Sequence, residues 1–191
     1  MRGISEMHKR AYFSALMFVV SCGSTELGNN PASRVAQAAD LAAELQDENL
    51  SDPSLLPANG RAVYAGFGTL NLPIDGATRA YVGDLDLTVE FGRSGDQISG
   101  TLQRFDGLTG VLDIANGNLD RGADTDVDYT FGADITGTLS ASSGDYVIDA
   151  NLTGDIRGRN QDGITAIVFG DITGPDGFDI FDGTLAAART D

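Results

Sequence analysis

The residues that could carry chemistry in this chain are concentrated near its start. Lys9 is the single lysine, His8 the single histidine and Cys22 the single cysteine. A serine nucleophile needs a base, usually histidine or lysine, and residues 23–191 contain neither. Paired carboxylates could hydrolyse glycosides, but a chain with 28 Asp and Glu brings acids together without that function. The sequence therefore predicts that the protein is not an enzyme, and catalysis is the weaker alternative.

Cys22 ends a segment that is typical of protein export. The basic pair Lys9-Arg10 is followed by the apolar run AYFSALMFVV and then by Ser21-Cys22. This run is too short for a membrane helix but suits a signal peptide. The residues Val-Val-Ser-Cys resemble a bacterial lipobox, so we expect cleavage before Cys22 and lipidation of that residue. The alternative is an ordinary secretory signal in which Cys22 is incidental.

A spaced acidic motif, Asp124, Asp126 and Asp128, suggests calcium. An EF-hand loop that begins at Asp124 needs Gly at its sixth position and Glu at its twelfth. Tyr129 and Ile135 occupy those positions, so the EF-hand is excluded. We expect a solvated acidic loop, with a weak calcium site as the alternative.

Haem would depend on a tyrosine ligand, since no histidine or methionine follows Cys22. Tyr64 and Tyr146 fall in predicted strands, where we expect core or rim aromatics; Tyr81 and Tyr129 are the other candidates. Structural zinc lacks its usual nitrogen and sulfur ligands. The motif Gly66-Phe67-Gly68 lacks the helix and lysine of a phosphate loop, so strand bending explains it better. We predict no metal and no cofactor.

The charge of the chain is strongly acidic. The formal net charge is −16, and from residue 22 onwards nine arginines face 27 acids, which gives −18. Phosphate recognition requires clustered arginine and lysine, so a nucleic-acid partner is excluded, and anionic lipid is disfavoured for the same reason. Hydrophobic residues make up 41% of the chain, which is enough for a folded core.

From Gly60 onwards apolar and polar residues alternate with the period of a β-strand. We predict eight strands, the first near residues 61–72, separated by Gly- and Asp-rich turns. Nearly every strand has a glycine on its apolar side, which indicates bent strands that approach one another closely. These glycines are Gly83, Gly100, Gly110, Gly137, Gly154, Gly170 and Gly183. The pattern favours an all-β fold with a single eight-stranded antiparallel barrel filled by side chains; a β-sandwich is the alternative.

The opposite side of the predicted strands carries acids. They are Asp84, Asp86, Glu90, Asp113, Asp134, Asp149, Asp155 and Asp171. A lipid-facing band does not tolerate charges at this density, so we expect water outside the barrel and do not expect an outer-membrane pore.

The predicted organisation has three parts. Residues 1–21 form a lipoprotein signal peptide, with either Met1 or Met7 as the start. Residues 22–59 form a lipid-anchored tether with one short helix over residues 33–50, which Ser33 would cap. Residues 60–191 form the barrel. We expect the helix to rest on the barrel or to fray, and a plug or lid for one barrel end is the alternative.

Loose glycine–aromatic motifs resemble the β-barrel domain of transferrin-binding protein B-like surface lipoproteins. In residues 56–66 a proline and a glycine precede Ala-x-Tyr-x-Gly, as in the opening strand of that family. The other motifs occupy residues 85–91, 94–100, 152–158, 166–172 and 181–187. The resemblance implies an eight-stranded barrel displayed on a Gram-negative outer membrane. It also implies binding of host iron proteins, haem or complement factors, often beside an outer-membrane receptor.

The chain departs from the large members of that family, because it has one barrel and no separate handle domain. No contact residues can therefore be transferred to it. We expect a surface-exposed, lipid-anchored binding or adaptor module that meets a protein partner through loops at one barrel end. A structural envelope lipoprotein without a specific ligand and a lipocalin-like small-molecule carrier are the alternatives.

Overall fold

The computed structural model describes residues 31–92 and 95–191. These residues form a closed antiparallel barrel of eight strands, preceded by one α-helix and a short 3-10 helix. Helix α1 is Pro31–Asp47, and the 3-10 helix is Pro53–Leu55. The strands are β1 Gly60–Ile74, β2 Ala77–Phe91, β3 Gln97–Gln103, β4 Thr109–Leu119, β5 Phe131–Ala141, β6 Gly144–Arg157, β7 Gly163–Gly174 and β8 Gly177–Arg189. Because β1 pairs with β8, the barrel prediction is confirmed and the sandwich is excluded.

Each strand pairs with the next in the chain, so the connections alternate between the two ends of the barrel. One end, which we call the turn end, carries two-residue turns at 75–76, 142–143 and 175–176. The Tyr146 hydroxyl joins these three turns. It accepts from the Asp75 amide at 3.2 Å, donates to Asp176 Oδ2 at 3.1 Å and lies 2.8 Å from Ser143 Oγ.

The predicted alternation of strand residues sets the two faces of the wall. In β2, for example, Leu85, Leu87 and Val89 are buried, whereas Asp86 and Glu90 are exposed. The inward side chains of all eight strands pack as one core, whose burial is the main source of stability.

Two inward glycines lie where neighbouring strands approach, as their spacing predicts. A Cβ on Gly170 would collide with the Cβ of Ala150, and a Cβ on Gly154 would lie 2.6 Å from the Cβ of Ala166. These strands could not keep their present separation with a side chain at either position.

The helix differs from its prediction in its bounds. It begins at Pro31, so Ser33 lies in the first turn and the prediction of Ser33 as N-cap is wrong. The physical reason is that the fixed φ of proline and its missing N–H suit the start of a helix. The helix ends at Asp47, and Leu50 instead forms a bridge with Arg157 of β6.

Helix α1 lies on the outer wall, across β2, β1, β8 and β7. Near its start, Arg34 bonds to Asp84, to Asp106 at 3.0 Å and to the Arg104 carbonyl at 2.6 Å. Near its end, Leu45 is buried against Gly163 of β7. The helix therefore rests on the barrel and plugs neither end.

The residues between α1 and β1 are also held against the barrel. The Ser51 amide donates to the Ile156 carbonyl at 2.9 Å. The Arg121 guanidinium donates to the Leu56 and Pro57 carbonyls at 2.8 and 2.6 Å. From residue 31 onwards, the predicted tether is therefore in contact with the barrel. In the described part of the chain no helix has the length and apolar character needed to cross a membrane.

Candidate interaction surface

The most exposed large apolar side chains of the strands lie on the outer wall of β6, β7 and β8, in the half nearer the turn end. Phe169, Phe178 and Ile180 are 61%, 68% and 70% exposed, and Val147 beside them is 55% exposed. We call these four residues the outer-wall patch. Isolated exposed apolar residues are normal, whereas contiguous ones mark interaction sites.

The strand register places Phe169, Phe178 and Ile180 next to one another, with Val147 separated from Phe178 by one residue of β7. Phe178 and Ile180 are two positions apart on β8, so they share the outward face. Asp171 of β7 lies opposite Ile180, which places Phe169, two positions from Asp171, diagonally next to Ile180. Val147 lies opposite Thr173, the β7 neighbour of Phe178. The patch therefore spans three adjacent strands whose backbones are fixed by their ladders.

The charged residues around the patch are acidic. Asp149 and Asp171 lie directly opposite each other on β6 and β7. Phe169, Ile180 and these two aspartates line a groove of about 440 Å³. A third acid, Asp182, lies opposite Phe169 and accepts a hydrogen bond from Asn71 at 2.8 Å. Asp171 thus lies among the apolar residues of the outer-wall patch, and Asp149 and Asp182 border it; we call these three aspartates the acidic rim.

The ion pairs of the described residues lie elsewhere on the barrel. Arg34 and Arg104 both pair with Asp84, Arg121 pairs with Asp96, and Arg189 pairs with Asp191. Within residues 31–92 and 95–191, no arginine neutralises Asp149 or Asp171. The acidic rim is therefore open to a cation from outside.

Helix α1 covers a different part of the same wall. It hides the outward side chain of Ala186, which is only 4% exposed, and it leaves the outer-wall patch uncovered. Sequence reasoning placed binding at the barrel-end loops and missed this patch. The signal was nevertheless present: Phe169, Phe178 and Ile180 occupy the strand side that otherwise carries acids.

The predicted acidic side of the wall has one exception. Seven of its eight acids are exposed or bonded to a neighbouring side chain at the surface, but Asp155 is buried. Its carboxylate accepts a hydrogen bond from the Thr130 amide at 3.1 Å. The prediction that Asp155 faces water is therefore wrong, because the loop before β5 folds over it.

The calcium motif forms a tight turn. The Asp124 carboxylate accepts from the Asp126 amide at 3.2 Å, and the Asp124 carbonyl accepts from the Asp128 amide at 2.7 Å. Among the described residues, no three acidic, histidine or cysteine side chains are arranged to hold a metal ion. The motif residues thus bond with their own backbone.

The four candidate haem tyrosines are dispersed. Tyr64 and Tyr146 are buried in the core, Tyr81 packs against it, and Tyr129 is half exposed. Burial raises the pKa of the Tyr64 phenol to about 12, so it stays protonated at neutral pH. Phe67 and its flanking glycines lie within β1 rather than in a loop. Cys22 and the predicted signal peptide lie outside the described residues.

None of the three comparisons, with protein-family models, with curated proteins and with solved structures, gives a match to this chain.

Proposed function

We propose that this protein is a lipid-anchored bacterial surface lipoprotein whose barrel binds a protein partner through the outer-wall patch. The observation that carries the proposal is the exposure of Phe169, Phe178 and Ile180 on adjacent rigid strands. Exposing such side chains to water is unfavourable, and a partner that covers them would recover that free energy.

The closed barrel favours binding through side chains. The eight described strands pair in a ring, so they offer no free strand edge to which a partner could add a strand. A partner must instead contact what projects from the wall or from its ends. The absence of histidine and lysine after residue 22 is also more compatible with binding than with acid–base catalysis.

The start of α1 and the outer-wall patch lie on different flanks of the barrel. Helix α1 begins nine residues after Cys22, a stretch that spans at most about 30 Å when extended. Its Arg34 lies over β2, which is three strands round the ring from β7. With Cys22 lipidated, the chain would hold the barrel close to the membrane with the patch on a flank away from the attachment point.

The anchor is tested by fractionation. In cells that produce the full chain, we expect the native protein in the outer-membrane fraction and accessible to external protease. Cys22→Ala should remain uncleaved or become soluble. A Cys22→Ala protein that is still processed and membrane-held would contradict lipid anchoring.

The binding surface is tested by photocrosslinking in the same cells. A benzophenone amino acid at position 180 should give a discrete adduct that Phe169→Ser removes. The matched control is the same label at Val127, which is 77% exposed in a loop outside the patch. Equal adducts at 127 and 180, or none at 180, would favour the structural-lipoprotein alternative.

A further inference from the structure

We propose that the segment bound by the outer-wall patch carries an arginine or lysine next to a large apolar side chain. This inference rests on the proposed function and adds the chemistry of the partner. The two kinds of side chain follow from the two kinds of surface in the groove, namely the aspartates on β6 and β7 and the apolar residues on β7 and β8.

The arginine or lysine of the partner follows from the position of Asp149 directly opposite Asp171. Residues directly opposite on antiparallel strands have Cβ atoms about 5 Å apart, and like charges there destabilise the sheet. No arginine in the described part of the chain pairs with either carboxylate. A guanidinium or ammonium group placed between them would relieve this repulsion and gain two charge-assisted contacts.

The apolar side chain is required by the other wall of the groove. Phe169 and Ile180 line it together with the aspartates, so a cation at the acids lies beside an exposed aromatic ring. Aromatic faces attract cations, and arginine can stack on such a ring while it bonds a carboxylate. An apolar neighbour of that arginine would cover Ile180 and Phe178.

The charge distribution argues against the other occupants of this surface. In a second copy of the chain, the same acidic rim would face Asp149, Asp171 and Asp182 in a symmetric contact. Anionic lipid would meet the same repulsion, and the chain carries a net charge of −16. A purely apolar segment would remove water from the aspartates without compensation. A cationic, partly apolar protein segment can both neutralise the acidic rim and cover the apolar residues of the outer-wall patch.

The test uses the full chain in nanodiscs of phosphatidylcholine, with empty nanodiscs as the blank. The probe is a fluorescent peptide of alternating Arg and Trp, measured by anisotropy. Two control peptides replace every Arg by Glu or every Trp by Gly. We expect the Arg-Trp peptide to bind most tightly and its affinity to fall as salt is raised from 50 to 300 mM, since exposed charges are screened.

Two matched pairs of substitutions locate the binding. The double variant Asp149→Asn with Asp171→Asn should bind the Arg-Trp peptide with an affinity lower by about fivefold or more. Asp86→Asn with Glu90→Gln removes the same charge from exposed positions on β2 and should change affinity less than twofold. Phe169→Ser with Ile180→Ser should also weaken binding, whereas Leu55→Ser with Val127→Ser should not. A cooperative thermal melt checks that each variant is folded.

The outcomes separate this inference from the proposed function. One outcome is that the crosslink from position 180 requires Phe169 but persists in the double variant Asp149→Asn with Asp171→Asn, and that this variant binds the Arg-Trp peptide with unchanged affinity. In that case the inferred partner chemistry is wrong, but the proposed binding function stands. If the Arg-Trp peptide binds all variants equally, its attraction is only global charge and the inference fails. Self-association of the native chain that Ile180→Ser abolishes would assign the patch to a second copy and also overturn the inference.

Discussion

The Leu45 side chain of α1 occupies the space that a side chain at Gly163 would need. A Cβ built on Gly163 would collide with one methyl group of Leu45 and lie 2.9 Å from the other. Leu45 is 5% exposed, although it lies on the outside of the barrel. The absence of a side chain at Gly163 thus leaves the space in which Leu45, near the end of α1, packs.

This contact predicts a coupled pair of substitutions. Leu45→Ala should lower the free energy of unfolding by about 2 kcal/mol, because it removes buried methyl groups. Gly163→Ala should also destabilise, but by less in the Leu45→Ala background, where the clash is absent. We expect a coupling energy of about 1 kcal/mol from urea unfolding of the four proteins. Strict additivity would show that α1 does not pack there in solution.

Loss of the hydroxyl group from two buried tyrosines should affect the stability of the fold differently. Tyr146→Phe removes the group that joins three turns and should cost about 1–2 kcal/mol. The buried Tyr64 hydroxyl has no hydrogen-bond partner among the described residues, so Tyr64→Phe should leave stability unchanged or raise it. Thermal unfolding of both variants measures the difference. A larger loss for Tyr64→Phe than for Tyr146→Phe would reverse these assignments.

The Asp96–Arg121 pair should contribute to stability in a defined pH range. Hydrogen bonds from Arg121 hold the pKa of Asp96 below its ordinary value of 3.8. Because the folded pKa is the lower one, the pair stabilises the fold above the unfolded value of about 4 and loses this contribution as pH falls through the folded pKa.

The variant Asp96→Asn tests this dependence. We expect it to be less stable at pH 7 by about 1–3 kcal/mol and to show a flatter decline in unfolding free energy below pH 4. Urea unfolding from pH 7 to pH 2.5 measures both effects. The control Asp113→Asn removes an exposed carboxylate of β4 and should retain the native acid slope. Identical slopes for Asp96→Asn and the native chain would refute the pH assignment.

Close strand packing predicts a contrast between two strand glycines. Gly170→Ala places a Cβ against that of Ala150 and should cost about 1–3 kcal/mol. At Gly132 the nearest atom to an added Cβ is the Leu152 carbonyl oxygen at 3.5 Å, an ordinary contact. Gly132→Ala should therefore change the melting temperature little. Equal effects at both positions would argue against close approach as the reason for Gly170.

The barrel could be predicted from local pattern, because the alternation of apolar and polar residues within each strand shows which side chains face inward and which face outward. The alternation around Leu85 and Leu87, with glycines such as Gly170 on the apolar side, is visible in a few consecutive residues. The position of α1 could not be predicted in this way. Arg34 meets Asp84 and Asp106 from 50 and 72 positions away, and nothing near Arg34 in the sequence marks them as partners.

The outer-wall patch lies between these two cases. Its aromatic residues could be recognised in the sequence as exceptions to the acidic side of β7 and β8. Its contiguity could not, because it depends on the register that places Asp171 opposite Ile180 and Asp149 opposite Asp171. Register across separate strands is fixed by the complete barrel and by turn geometry.

The seam between β1 and β8 has a consequence for the order of folding. Other strand pairs join chain neighbours, whereas Asn71 and Asp182 are 111 positions apart, and such distant pairing is slow to form. Until the ring closes, β1 and β8 are open edges that can recruit other chains. Helix α1 lies across this seam. Helix α1 is synthesised before the barrel and then covers the strand pair that we expect to form last. Deletion of α1 should therefore appear first as aggregation during refolding.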